Sequence, residues 1–215
     1  MTVEERFKEY DVALEALFKK AREEGHTIPC KRGCDACCYE AVVALSIELG
    51  PMVKELRSMS KETLNEIRER IEAWAVGMRK AGLDPKDSEP DVHAYYRAHL
   101  PCPLLDEKTH ECRVYRTRPG ACRGHHIVDA SPEVCANRGI EKGVPWLEIR
   151  ESHVFPFLAG LAEEAAKGLP EGEDVMLAVG LLPGVLAVLW RQIDRSMSHA
   201  EHREMLARMK GKEKP

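Results

Sequence analysis

The sequence has no surplus of basic residues, which argues against nucleic acid as a partner. Its 215 residues include 32 lysines and arginines and 36 aspartates and glutamates, which gives a formal net charge of −4 at pH 7. Proteins that bind DNA or RNA usually carry a basic surplus or one strongly basic face. We therefore expect no nucleic-acid partner.

A secretory signal is also missing from the start of the sequence. The first ten residues, MTVEERFKEY, alternate acids and bases and contain no apolar segment. A secretory signal needs a basic end followed by an apolar run. We therefore expect a cytoplasmic protein, and structural disulfides are rare in that reducing compartment.

The sequence lacks an apolar run long enough to predict a membrane span. The run VMLAVGLLPGVLAVLW, from Val175 to Trp190, has only 16 residues, whereas a spanning helix needs roughly 20. Gly180, Pro183 and Gly184 lie within it and disfavour one long helix. The run predicts a buried helix or a helical hairpin, and we expect no membrane association.

Familiar catalytic signatures are absent as well. The sequence contains no glycine-rich phosphate loop, no G-x-S-x-G motif and no H-E-x-x-H motif. No paired carboxylates and no nucleophile with its base can be assigned. The sequence therefore leaves open whether the protein is an enzyme.

Cysteine, in contrast, is abundant. In a reducing compartment, eight thiols indicate metal or redox chemistry. The segment CDAC, from Cys34 to Cys37, matches the thioredoxin-type pair, but the strand–helix–strand pattern that this redox motif needs is missing beside it. We interpret all eight as candidate metal ligands: Cys30, Cys34, Cys37, Cys38, Cys102, Cys112, Cys122 and Cys135.

Four of these cysteines lie in the short segment CKRGCDACC, from Cys30 to Cys38. Gaps of two or three residues let sulfurs converge on one centre, in zinc sites and in iron–sulfur sites alike. Adjacent side chains point apart in an extended chain and lie about 100° apart on a helix. We therefore expect Cys37 and Cys38 to face different centres. The alternative is that Cys38 is only a small buried apolar residue.

The spacing suggests how the cysteines divide. We expect Cys30, Cys34 and Cys37 to share one centre, with Cys122 as its fourth ligand. We expect Cys38 to face a second group, which consists of Cys102, Cys112 and Cys135.

Arginines and histidines accompany the later cysteines. Thiolates around a metal leave a net negative centre, which needs compensation in a partly dry site. We expect that compensation from Arg113, Arg116, Arg118 and Arg123. Histidines are the other candidate ligands, although a solvated or hydrogen-bonded side chain is the favoured interpretation of each. His110 precedes Cys112, and His125 and His126 follow Cys122 closely, so one of these last two is our choice if a histidine ligates.

The remaining pattern is mostly helical. Thr2 with Glu5 fits a capping box at the start of a helix that ends near Gly25. Ser60 predicts the start of a second helix, which ends near Gly82. The segment VVALSIELGPMVKELRSM is predicted to be mostly helical with an extended start, and a helix is predicted around 148–167. Two short apolar pieces flank DEKTHE and predict a small hairpin with Cys102 and Cys112 at its outer ends.

The segment CKRGCDACC followed by CPLLDEKTHECRVYRTRPGACR resembles the CxxCxxCC family of cysteine-cluster domains, described as zinc- or iron-chelating. The shared pattern is a cysteine group ending in Cys–Cys, a Cys–Pro, a cysteine before an apolar–Tyr pair, and Arg-Pro-x-x-Cys-Arg. In this sequence it falls on Cys30, Cys34, Cys37 and Cys38; on Cys102 and Pro103; on Cys112, Val114 and Tyr115; and on Arg118, Pro119, Cys122 and Arg123. Cys135 is an addition to this seven-cysteine pattern. The resemblance implies metal chelation; some members are named iron–sulfur oxidoreductases, and related motifs occur in a flagellin lysine methylase.

Together these features predict a mainly α-helical single domain, 1–215, wrapped around a cysteine-rich metal-binding centre with a small β-hairpin. The metal-binding core is expected over about 28–136, with helical appendages over 2–25 and 146–208. The expected cofactor is an iron–sulfur cluster with a redox or sensing role. One alternative is a zinc-stabilised helical interaction domain without redox activity, which would act through a protein partner. A second is an enzyme related to iron–sulfur lysine methylases.

Overall fold

Helices form most of the described structure, and their apolar faces meet in two buried clusters. The protein is represented by a computed structural model that describes residues 2–84, 91–131, 157, 159–161 and 179–211. In chain order the regular elements are α1 (Val3–Glu23), β1 (Val43–Leu45), α2 (Gly50–Arg57), α3 (Lys61–Lys80), α4 (Val92–Ala98), β2 (Leu105–Asp106), β3 (Glu111–Cys112), α5 (Gly120–Arg123), β4 (Val179–Leu181), α6 (Leu182–Ile193) and α7 (His199–Met209).

The two long predicted helices begin and end at the residues that carry capping signals. The Thr2 hydroxyl accepts from the Glu5 amide over 3.1 Å, and the Glu5 carboxylate accepts from the Thr2 amide over 2.6 Å. The Ser60 hydroxyl likewise accepts from the Thr63 amide at the start of α3. Past the helix ends, Gly25 and Gly82 have φ angles of +91° and +76°, a conformation that glycine adopts at low cost. Both predicted helices are confirmed.

Two small antiparallel sheets accompany the helices. Strands β2 and β3 pair with Leu105 opposite Cys112, which confirms the predicted hairpin. Strands β1 and β4 pair with Val43 opposite Leu181. The prediction of a helix or helical hairpin for the apolar run from Val175 to Trp190 is therefore wrong at 179–181, which is a strand. Pro183 does not interrupt the helix that follows, because it lies in the first turn of α6, where a proline leaves no intrahelical hydrogen bond unmade.

The larger apolar cluster is built from α2, α3, α6 and α7. Its fully buried side chains include Met52, Ile67, Leu186, Trp190 and Met205. Burial of an aliphatic side chain of this size contributes about 1.5–3 kcal/mol. The last two helices are therefore integral to the main core.

The smaller cluster joins α1 to the cysteine region. Phe7, Tyr10, Leu14 and Phe18 of α1 pack on Phe157 and Leu161. The Phe157 ring stacks on Tyr10 with 4.7 Å between centroids. The Tyr10 hydroxyl donates to the Gly120 carbonyl at 3.4 Å, and this bond ties α1 to the helix that carries Cys122.

The structure confirms a mainly helical fold with a small hairpin. The predicted helix around 148–167 and Cys135 lie wholly or largely outside the described residues, and the domain boundaries stay predictions. Among the helices in the described ranges, none has the length and apolar character that crossing a bilayer requires.

Candidate metal centre

Three chain segments bring the described cysteines together. A 3₁₀ turn, Ala36–Tyr39, carries Cys37 and Cys38. The hairpin segment follows far along the chain, and its Cys102 amide donates to the Cys38 carbonyl over 2.7 Å. The short helix α5 supplies Cys122. The backbone bond between Cys102 and Cys38 therefore fixes the hairpin segment against the cysteine turn before any ligand contributes.

Two of the cavities near the described cysteines are each lined by at least three thiols, and the larger of these two is lined by six. Its volume is about 50 Å³, several times the roughly 10–15 Å³ that one water molecule requires. Much of the remaining wall is apolar and includes Val42, Leu104, Val114 and Leu182. The cysteines that line it are Cys34, Cys37, Cys38, Cys102, Cys112 and Cys122.

The smaller cavity, of about 30 Å³, lies next to the first. Cys34 and Cys37 border both cavities, as do Tyr115 and Arg118. Cys30, His125 and His126 line the smaller of these two cavities and not the larger. Cys30 and His126 also line a more open pocket of about 420 Å³, together with Arg116 and Arg118. Cys122, Cys38, Cys102 and Cys112 line the larger cavity and are not among the described residues of the smaller one.

The seven described cysteines are half-buried free thiols. In the described ranges, no three His, Cys, Asp or Glu side chains have a geometry that would already hold a metal ion. Ligation would therefore require the side chains around each cavity to turn toward a common point. Rotation about χ1 moves a thiol without disturbing the backbone.

Burial keeps most of these thiols protonated. It raises the pKa of Cys30, Cys34, Cys112 and Cys122, and raises the pKa of Cys102 to about 12. The pKa of Cys37 is lowered instead, chiefly because the Cys38 thiol hydrogen-bonds to it. A metal bound here would have to displace protons from buried sulfurs. Such an all-thiol set suits zinc or iron–sulfur centres.

Arg118 supplies positive charge to both cavities. Its guanidinium lies 4.2 Å from the centroid of the Tyr115 ring. Burial raises the pKa of Cys30, Cys112 and Cys122, and the charge of Arg118 offsets part of that rise. Its Nε is buried and has no hydrogen-bond partner in the described part of the chain. An unpartnered donor beside thiols fits an anionic thiolate centre, which would accept this bond.

The other three predicted arginines are placed differently. Arg113 pairs with Glu66 at 2.6 Å. Arg123 pairs with Asp11 at 2.6 Å and also donates to the backbone carbonyls of Arg116 and Arg118. Arg116 is exposed. Of the four arginines, only Arg118 lines the larger cavity.

The three candidate histidines have distinct partners. His125 Nε2 lies 3.0 Å from Glu40 Oε1, with both side chains no more than 6% exposed. His126 Nε2 lies 2.8 Å from the Arg123 carbonyl oxygen, and burial lowers the pKa of His126 to about 4. His110 pairs with Asp35 at 2.7 Å on the surface.

Two buried acids support the site and were missed by sequence reasoning. Glu40 holds His125, as described above. Glu48 is completely buried and accepts from the amides of Leu45 and Gly120, at 3.1 and 3.0 Å. It thereby fixes the start of α5, and burial raises its pKa to about 7. A single acid in the apolar stretch AVVALSIELG was the available signal for Glu48.

A family model matches residues 29–136, half of the chain, and it covers every described cysteine together with Cys135. The family is named CxxCxxCC and carries the description "Putative zinc- or iron-chelating domain". No curated protein and no solved structure matches this chain. The family match and the cysteine-lined cavities lead to one conclusion: the chain belongs to the CxxCxxCC family of cysteine-cluster domains.

Proposed function

We propose that the protein binds an iron–sulfur cluster in the larger cavity and uses it for electron transfer or redox sensing. The protein ligands are Cys38, Cys102, Cys112 and Cys122, the four cysteines that line this cavity alone. Four thiolates are the usual protein ligands of such clusters, which supply one-electron transfer when bound.

The observation that carries the proposal is the space between these thiols. A structural zinc site closes four sulfurs around one ion at about 2.3 Å. Here the thiols instead surround a cavity of about 50 Å³. A cluster of several iron and sulfide ions would fill more of this space than a single zinc ion, which favours the cluster for these four thiols.

Charge and polarity around the cavity support a redox role. The apolar wall excludes water and strengthens every electrostatic interaction inside it. Arg118 borders the cavity with an unpartnered buried Nε–H. Hydrogen bonds and positive charge near cluster sulfurs set reduction potentials, so this residue is suited to tuning the centre. A reducing compartment such as the cytoplasm, where structural disulfides are rare, suits such a centre.

The test is metal analysis of the full chain, expressed in iron-replete medium and purified without oxygen. We expect iron with acid-labile sulfide, visible charge-transfer absorption that dithionite bleaches, and reversible one-electron reduction. Cys102→Ser and Cys112→Ser should each lose iron and sulfide together. A colourless protein that retains zinc, contains no labile sulfide and unfolds with a chelator would overturn the proposal in favour of a zinc-stabilised interaction domain.

A further inference from the structure

We propose that the smaller cavity is a separate site for a single thiophilic divalent ion such as Zn²⁺, with His126 as a ligand beside Cys30, Cys34 and Cys37. These residues line one cavity of about 30 Å³. Three thiolates and one imidazole make a standard tetrahedral zinc set. This site goes beyond the cluster proposed above and does not depend on it.

The hydrogen bonding of His126 determines which ring nitrogen could bind an ion. The Arg123 carbonyl oxygen, 2.8 Å from Nε2, can only accept a hydrogen bond. Nε2 must therefore carry the proton, which leaves a lone pair on Nδ1 of the neutral ring. A metal-binding histidine characteristically donates its other ring N–H to a carbonyl or carboxylate, which fixes the tautomer and orientation.

The surroundings of the His126 Nδ1 atom also favour a bound ion. This atom is buried and has no hydrogen-bond partner in the described ranges, within a residue that is 8% exposed. An unsatisfied buried acceptor costs free energy, which a bound cation would recover. The Phe18 ring packs edge-on against the imidazole, with 4.3 Å between centroids, and so limits how the ring can turn.

The cysteine group of the proposed site lies next to the segment that carries His126. The Ile127 amide donates to the Cys30 sulfur at 3.5 Å, so the residue after His126 touches the first cysteine of the group. The gaps from Cys30 to Cys34 and from Cys34 to Cys37 are three and two residues, which allow sulfurs to converge on one ion. Binding would require these side chains to turn inward, since in the described structure they do not yet converge.

This assignment leaves four thiols for the larger cavity. Cys34 and Cys37 border both cavities, so their use by the ion still leaves a complete four-thiol set for the cluster. His125 also has a suitable partner at Nε2, the Glu40 carboxylate at 3.0 Å. We choose His126 because its Nδ1 is among the buried, unpartnered atoms of the described residues and Nδ1 of His125 is not.

The experiment measures zinc, iron and labile sulfide separately in the anaerobic full chain, and titrates Co²⁺ as a visible probe of the smaller site. We expect about one zinc per chain in addition to the iron, with three sulfurs and one nitrogen around zinc by X-ray absorption. His126→Ala removes a direct ligand, so it should weaken Co²⁺ binding by more than the roughly 100-fold upper end for residues that only orient a ligand, and it should lose the zinc while iron and sulfide stay unchanged. His202→Ala is the matched control, because His202 Nε2 also meets a backbone carbonyl, that of Ala187 at 2.9 Å, outside both cavities.

His126→Cys separates ligation from folding. A thiol at this position should restore ion binding and shift the Co²⁺ spectrum to that of four sulfurs, whereas a purely structural histidine would not be rescued. The proposal is overturned if His126→Ala keeps its zinc, or if the wild-type zinc has four sulfur neighbours. Iron and sulfide without zinc would overturn this site alone, and zinc without iron and sulfide would overturn only the cluster.

Discussion

The backbone amide of Cys102 donates a hydrogen bond to the carbonyl oxygen of Cys38 over 2.7 Å. This bond joins the start of the hairpin segment to the cysteine turn through backbone atoms alone. Substitution of either side chain leaves both hydrogen-bonding groups in place. Serine variants of these cysteines should therefore report on metal binding more than on the position of the segments.

The first prediction compares Cys38 and Cys30, which line different cavities. Cys38→Ser should lose iron and sulfide but keep zinc, because Cys38 lines only the larger cavity. Cys30→Ser should lose zinc but keep iron, because Cys30 lines the smaller of the two thiol-lined cavities and not the larger. Elemental analysis of the two variants side by side checks this. Loss of the same metals in the same proportion would indicate one shared centre.

The second prediction concerns the charge of Arg118. Reduction adds negative charge to the centre, and a nearby cation stabilises that charge. Arg118→Gln should therefore make the midpoint potential more negative at unchanged iron content. Arg116→Gln is the matched control, since Arg116 is exposed and lines the open pocket beside Cys30 but neither of the two thiol-lined cavities. Equal potentials in the two variants, measured by redox titration, would show that Arg118 does not tune the centre.

The third prediction concerns the ion pair between Asp11 and Arg123. The Arg123 side chain is 6% exposed and that of Asp11 is 52% exposed. Asp11→Ala leaves a buried guanidinium without its carboxylate, although its bonds to backbone carbonyls remain. We expect a loss of about 1–2 kcal/mol in the free energy of unfolding, below the 3–5 kcal/mol of fully buried pairs because water screens Asp11.

Urea unfolding of the wild type and Asp11→Ala measures this loss. Glu23→Ala provides the control, because it removes an exposed pair with Lys19 at 3.9 Å. That change should fall within about 0.5 kcal/mol of the wild type. A similar small effect for Asp11→Ala would mean that the pair does not stabilise the junction of α1 with the site.

The fourth prediction concerns pH and Glu48. Its pKa is about 7 in the folded chain, against an ordinary value of 4.5. The folded state therefore binds more protons than the unfolded state between these values, and stability should fall as pH rises through this window. The total loss is about 3 kcal/mol, at 1.36 kcal/mol for each pKa unit.

Glu48→Gln removes this titration, although it also disturbs one of the two backbone bonds that the carboxylate accepts. The variant should have a lower stability at pH 5 and a shallower decline toward pH 8 than the wild type. Urea midpoints across this range check the slope, and contributions from other groups are common to both proteins. Parallel curves would contradict a raised pKa for Glu48.

The sequence predicted those helices and turns that depend on interactions between residues close together in the chain. A capping bond such as Thr63 to Ser60 spans three residues, so the signal and the structure lie in one short window. The hairpin of Leu105 with Cys112 is similarly close in sequence. The pairing of Val43 with Leu181 could not be predicted in this way, because short apolar segments fit strands and buried helices equally well until their neighbours are known.

By itself, the sequence determined which donor atoms are available, because it fixes the number of thiols and the gaps between them. The same gaps show the cysteine pattern of the family. Only the tertiary structure decided which thiols share a cavity and which arginine side chain lies beside them. Arg113 and Arg123 pair with Glu66 and Asp11, whereas Arg118 faces the thiols. The physical reason is that these carboxylates lie far away in the sequence, on α3 and α1, and only the packing of those helices brings them to the cysteine segments.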